Sequence, residues 1–425
     1  RSEDYVPQLE NAEDRSQPLA VPSVEPAGGM LQSLRIYPAF RLLMLGTLAT
    51  NSAFWMYQVA VGWLALEMTD SPLFVGMAGF AGGIPMLVFS IPAGVIIDKF
   101  DRRLVLLAAQ CGVMAVSAIF ALMVGLDLMR PWSMLLLVTL YGTIMSFIFP
   151  TRTAIVPSLV SRHDLANGVA LNAAAQNATR VVGPSLAGVL IAILGLSETF
   201  AVAAVLQSLA LLSTWRLPAM PISFVRGGTG WQSMTLGFRI VAKSPFLIAL
   251  IVLALAPTVL VMPYINLMPV FARDELGLGS SGLGILLAST GLGTVAGSLS
   301  VAYSPLLRDR PGMQVMTAVL FTIGVIAFAM TTNVPVVVLL LFAAGWMSAA
   351  FLALNQTALQ LSVDDDVRGR VTSIYLLTWG MLPIGQLAVG ALASQIGTPV
   401  AMVSSCVLAL GLIALIAHRF PSLRT

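Results

Sequence analysis

From Phe40 to His418 the chain is a succession of apolar runs of about 20 residues, broken by short polar stretches. A run of that length spans the hydrocarbon core of a bilayer as a helix. The runs lie at 41–66, 73–97, 104–126, 132–157, 169–195, 198–216, 246–271, 281–303, 312–331, 334–360, 371–396 and 399–417. They are continuous rather than alternating, so they predict helices and not the strands of a barrel. The prediction is an all-α, polytopic membrane protein with twelve transmembrane helices in two six-helix bundles. Residues 1–34 form an acidic, proline-containing tail expected to be disordered. Residues 35–216 form the first bundle and 244–425 the second, with a short cytoplasmic tail. Between them, 217–243 reads as a cytoplasmic linker. In it Trp231, Met234, Phe238 and Val241 recur at helical spacing beside Arg239 and Lys243, as in a helix lying on a membrane surface.

Composition agrees with the pattern. The 425 residues are 58% hydrophobic and 10% charged, with a mean hydropathy of +0.91; soluble domains carry about 25% charged residues. A net charge of +3 gives no reason to expect nucleic acid. Positive residues are unevenly spread. Lys99, Arg102, Arg103, Arg162, Arg216, Arg226, Arg239, Lys243, Arg308, Arg310, Arg368, Arg370 and Arg419 fall in alternate loops, and only Arg130 and Arg273 in the others. The positive-inside rule then puts both termini in the cytoplasm and calls for an even number of spans. Cys111 and Cys406 sit in apolar runs of different halves, and His163 and His418 have no ligand at helical spacing. No metal site, cofactor, nucleotide-binding loop or enzyme is expected.

The halves repeat. Thr151-Arg152-Thr153-Ala154 matches Asn355-Gln356-Thr357-Ala358, and Gly183-Pro184-Ser185-Leu186-Ala187-Gly188 matches Gly385-Gln386-Leu387-Ala388-Val389-Gly390. A parallel repeat of six-helix halves is major facilitator architecture. The loop Gly94-Val-Ile-Ile-Asp98-Lys99-Phe100-Asp101-Arg102-Arg103 resembles the signature loop of that superfamily, with Asp101 where glycine is usual. Thr179 to Gly188 resembles the motif of drug–proton antiporters: Gly183, Pro184 and Gly188 match, and Ala170, Thr179 and Ala187 stand in for other glycines. Phe149 to Arg152, Leu165 to Gly168, and Leu34 to Arg41 are similar to the branch holding enterobactin exporters and macrolide-efflux proteins. The resemblance covers roughly residues 33–418. It implies a secondary transporter of the bacterial inner membrane that exports small amphiphilic molecules (drug, siderophore or other metabolite) by alternating access and proton antiport. Asp98 would help hold the outward-open state, and Gly94, Arg102, Arg103, Arg152, Gly183, Pro184 and Gly188 would take part in gating. A lysolipid carrier, a channel or a non-transporting receptor are the alternatives.

Polar residues within spans are costly and face a bundle interior. Asn51, Trp55 and Gln58 share a face of the first span with Gly62, and Asn177 and Arg180 share one on the fifth. Tyr375, Trp379 and Gln386 share one on the eleventh; Asn266 and Gln356 come from the seventh and tenth. In this fold such faces meet at a central cavity, so these ten residues are the substrate-binding candidates, with interhelical hydrogen bonding as the other role open to each. Arg180 stands out: an intramembrane cation requires water, a partner or an anionic ligand, so a preference for anionic substrates is expected. Arg152, near the end of its span, has the reach to snorkel to the surface. No Asp or Glu lies mid-span, so a proton-carrying residue is not evident; Asp98 and Glu67 are the candidates. The expected partners are a small-molecule substrate, the lipid bilayer and protons, and the expected state is a monomer.

Overall fold

Prolines mark several of the helix starts. Pro38, Pro72, Pro131 and Pro245 each open a helix, where the missing amide hydrogen costs nothing and the ring presets the backbone. In the computed structural model, residues 31–219, 230–304 and 312–423 are described. Among them there are helices and no strand. A short α1 (Gln32–Ile36) leads into α2 (Pro38–Thr69), α3 (Pro72–Lys99), α4 (Arg102–Gly125), α5 (Pro131–Leu159), α6 (Leu165–Ile193) and α7 (Leu196–Trp215). A connecting helix α8 (Gly230–Lys243) precedes α9 (Pro245–Leu260), α10 (Met268–Val270), α11 (Ser280–Tyr303), α12 (Met313–Ala329), α13 (Val334–Leu361), α14 (Asp365–Gly380), α15 (Leu382–Ile396) and α16 (Thr398–Arg419).

Nine helical stretches among the described residues are long and apolar enough to cross a membrane, and α12 is a shorter apolar helix. The first and fifth expected spans, α2 and α6, are not among the nine, although they are 32 and 29 residues long. They hold half of the ten substrate-binding candidates. They also pack against each other and against interior neighbours, so lipid sets the composition of only part of each helix.

α2 packs against α6 and α7, α4 against α5 and α7, and α3 against α5; in the second half α11 and α12 pack on α13, and α16 on α9, α12 and α15. The halves meet through α3 with α15 and α6 with α11. Glycines permit these approaches: a Cβ on Gly76 would lie 2.6 Å from the Gln386 carbonyl oxygen, and one on Gly188 would collide with the Gly284 backbone. The close approaches fall on one half of each helix, Pro72 to Leu87 of α3 and Arg180 to Gly188 of α6. That half is remote from the face carrying α1 and the C-terminal Leu423. The halves are therefore closed at this distal face. On the terminal face α8 packs on α14 and touches α3.

Two expected spans are broken. The run 246–271 leaves regular helix after Leu260, passes a 3₁₀ turn at Met262–Ile265, and ends in a π turn at Phe271–Glu275. Pro263 and Pro269 lack the amide hydrogens a continuous helix would need there. The run 371–396 breaks at Met381, two residues before Pro383. The expected tail boundary at residue 34 also shifts. Residues 1–30 lie outside the described residues, but Gln32 to Tyr37 are folded. The Ser33 amide donates to Asn167 at 3.1 Å and the Tyr37 hydroxyl to Asp164 at 2.7 Å. Residues 220–229 of the expected linker, and Arg308 and Arg310, lie outside the described residues.

Candidate functional site

The orientation of Arg180 follows from the helix that carries it. Val182, Leu186, Val189 and Ile193 are the exposed apolar stripe of α6, 45–73% accessible. At about 100° per residue, Arg180 points roughly 150° away from that stripe. Gly183 fixes the direction of α2, since a Cβ there would lie 2.6 Å from the Trp55 Cβ; Gly188 fixes the direction of α11. Arg180 lies between the two and projects toward the axis of the molecule. It is densely surrounded by protein and yet exposed. Its side chain is exposed on the side of α6 that faces α2 and α11. Its guanidinium carbon stands 6.0 Å from the centre of the Trp55 ring, within cation–π range. No carboxylate among the described residues pairs with it. One turn beyond the half-buried Trp55, Gln58 is also exposed, and toward the terminal face Leu45 and Leu48 are exposed on α2. α2 has α3, α5, α6 and α7 around its other sides. Of these residues, Arg180 and Trp55 are in contact range of each other across α6 and α2.

The other candidates are placed differently. Asn266 and Gln386 meet over Gly79 of α3, where a Cβ would lie 2.6–2.9 Å from their side-chain amides, and Asn266 Nδ2 donates to the Val75 carbonyl at 3.0 Å. They join the two halves on the closed side. Tyr375 is buried in the core of the second half beside Asn355 and offers a ligand no surface in this conformation. Trp379 and Gln356 are half-buried, and Asn51 is buried with its side-chain oxygen unpartnered. The side chains of Asn177 and Asp98 lie outside the described residues. Among the gating candidates, Arg102 donates to the Ala154 carbonyl at 2.8 Å and Arg103 to that of Trp215, both within the first half. Gly94 has open space where a Cβ would stand. Gly183 and Gly188 are contact points for α2 and α11, and Pro184 is buried between them. Arg152 does not reach the surface: it is 3% exposed and bonded to Thr47 Oγ1 at 3.0 Å, Thr50 Oγ1 at 2.7 Å and the Leu43 carbonyl at 3.4 Å. Those oxygens of α2 lie within the length of its side chain, so snorkelling would exchange three hydrogen bonds for water.

Comparison with known proteins gives this arrangement a family. The family described as transmembrane secretion effector matches residues 30–425. The chain belongs to that family. It is thus a transporter of major facilitator type. The staphyloferrin A transporter of Staphylococcus aureus (strain NCTC 8325 / PS 47) is 23% identical over 81% of this chain and 86% of that protein. The enterobactin exporter EntS of Shigella boydii serotype 18 is 29% identical over 88% and 90%. Among solved structures, a bacterial homologue of the human lysosomal transporter Spinster, inward-facing and unoccupied, aligns with a TM-score of 0.72 at 16% identity, covering 91% of this chain and 99% of that one. The nucleoside transporter NupG aligns at 0.70 and 14%, covering 90% and 99%. These likenesses concern the fold.

Two clusters of this secretion effector escaped the sequence reading. At the distal face Arg273, within the π turn, bonds Asp70 at 2.8 Å and the Leu66 carbonyl at 3.3 Å, tying the second half to the end of α2. Asp274 pairs with the same arginine at 2.6 Å. The signal was the isolated Arg273 in an otherwise cation-poor loop. At the terminal face Asp164 accepts from Tyr37, Gln32 and Ser161, with His163 at 3.1 Å. The Tyr37 hydroxyl first, and His163 next, hold its carboxyl below the usual range. An acid directly before an apolar run reads as a helix cap, but here the carboxylate serves α1.

Proposed function

We infer that this protein exports an anionic, amphiphilic metabolite of the siderophore type across the bacterial inner membrane, by alternating access with proton antiport. One observation carries the substrate class: Arg180 is an exposed cation on the inward side of α6, near Trp55 and without a carboxylate partner among the described residues. Guanidinium binds carboxylates and phenolates through paired donors, and the indole beside it suits an apolar body. Two relatives named for siderophores support the class. With twelve spans and both termini cytoplasmic, closure of the distal face makes this an inward-facing state, the one in which an exporter loads.

Transport by purified protein in liposomes tests the reading. Arg180→Gln should cut uptake of anionic siderophores into inside-out vesicles at least tenfold and leave neutral amphiphiles within twofold, at normal expression. Equal loss for both classes would make Arg180 structural and remove the anion preference. Collapse of the pH gradient with an ionophore should abolish accumulation; undiminished accumulation would exclude proton antiport.

A further inference from the structure

On the outer surface of the first half, α4 and α7 run side by side and leave a groove of about 480 Å³, lined by Leu107, Cys111, Ser208, Leu211, Leu212 and Trp215. Its walls are almost wholly apolar, and Trp215 is 62% exposed at one end. That end is basic. Arg103 lies one helical turn before Leu107 and donates to the Trp215 carbonyl, which bridges the two helices across the mouth of the groove. The Nε of Arg103 is buried and has no partner. Arg216 follows Trp215, is exposed, and forms no ion pair among the described residues. The nearby acid, Asp101, is engaged as the cap of α4, accepting from the Arg103 amide at 2.8 Å.

An apolar groove ending in a tryptophan and two arginines at the membrane boundary matches one ligand chemistry: an acyl chain joined to an anionic headgroup. The contrast lies on the same molecule. The stripe Val182, Leu186, Val189 and Ile193 of α6 is as apolar but carries no cation on its face, so it meets lipid without regard to headgroup. We propose that the α4–α7 groove is a binding site for an anionic glycerophospholipid, its acyl chain along Leu107, Leu211 and Leu212 and its phosphate between Arg103 and Arg216. The site sits on the Asp98–Arg103 loop, so an occupant would brace that loop against α7. The assignment does not depend on which substrate is carried.

Trp215 is the reporter. The full-length protein is reconstituted into phosphatidylcholine containing increasing fractions of brominated phosphatidylglycerol, brominated cardiolipin or brominated phosphatidylcholine. The fluorescence lost in Trp215→Phe isolates the contribution of this one indole. Both anionic lipids should quench it at a several-fold lower mole fraction than the brominated phosphatidylcholine. A preference confined to cardiolipin would identify a two-phosphate lipid as the occupant. Arg216→Gln, which removes no contact within the fold, should reduce the preference about fivefold, the effect of one basic residue at a membrane surface. Arg103→Gln should reduce it further, and Lys243→Gln, on the connecting helix, should not change it. Equal quenching by the three lipids overturns the site. So does a loss with Lys243→Gln as large as that with Arg216→Gln, because the preference would then be a property of the whole basic face.

Discussion

Replacing Arg273 with Gln tests whether the distal contacts hold this conformation. The arginine bonds Asp70 at 2.8 Å and the Leu66 carbonyl at 3.3 Å, and both partners belong to the other half. Arg273 is 30% exposed and Asp70 80%, so the ion pair is worth about 1 kcal/mol or less. The bond to Leu66 is long and partly wet and adds about 1 kcal/mol. Together they favour distal closure by roughly 1–2 kcal/mol, a factor of about 5–30 in the open-to-closed ratio. Spin labels at Glu67 and Gly279 would report it, in a background of Cys111→Ser and Cys406→Ala. Glu67 is exposed, and a side chain on Gly279 would meet nothing. Double electron–electron resonance should show Arg273→Gln moving population toward the longer distance, and 1 M salt should move it part of the way in the unsubstituted protein. The substitution should have a smaller effect when Asp70→Asn is already present. An unchanged distance distribution, or fully additive effects of the two substitutions, would refute a direct latch.

Two further outcomes follow from the packing. Gly188→Leu cannot be accommodated with the Gly284 backbone and the Ser280 carbonyl where they are, so it should bias the protein toward the distal-open state and abolish transport. Labelling of an engineered distal cysteine should then become constitutive, and unchanged labelling would mean the interface yields elsewhere. Asp164→Asn should release α1, read as faster hydrogen exchange at Ser33 to Tyr37 with α2 unaffected. The same docking depends on acidity: because the folded state holds this carboxyl below its unfolded pKa of about 3.9, the contribution is fully present above that pH and is lost as pH falls through the lower, folded value. Exchange at α1 that rises between pH 7 and 5 would contradict this assignment.

Hydropathy made the helices legible because lipid-facing surface imposes it. The expected runs 73–97 and 132–157 correspond to Pro72–Lys99 and Pro131–Leu159. It could not show the breaks at Val261 and Met381, where every residue is apolar and the interruption comes from absent amide hydrogens. The site was legible only in part. Helical spacing placed Arg180, Trp55 and Gln58 on interior faces, because that depends on a single helix. It could not separate residues that line a recess from residues that join the halves. Asn266 and Gln386 read as cavity groups, and only the approach of α3 at Gly79 makes them partners. Arg273 and Asp70 are 203 positions apart, and no periodicity connects them.

The two halves also show why a buried arginine survives in one of them. Arg152 and Asn355 occupy the same station, the twenty-second position of α5 and of α13. Each donates to a carbonyl at the sixth position of the neighbouring helix, Arg152 to Leu43 of α2 and Asn355 Nδ2 to Leu250 of α9 at 3.0 Å. The functional match to Arg152 is therefore Asn355, one residue away from the Gln356 that the sequence repeat pairs with it. Asparagine fills its station as a neutral group, with its side-chain oxygen buried and unpartnered. Arginine brings a charge, and α2 answers with two threonine hydroxyls and with Gly46, where a Cβ would stand 3.3 Å from both terminal guanidinium nitrogens. No carboxylate among the described residues neutralises it, and its Nε stays unpartnered. A cation held in this way is costly. It also contributes positive potential to the first half, the half that carries Arg180. The second half has only an amide at the same station, so the charge at this station belongs to the first half alone.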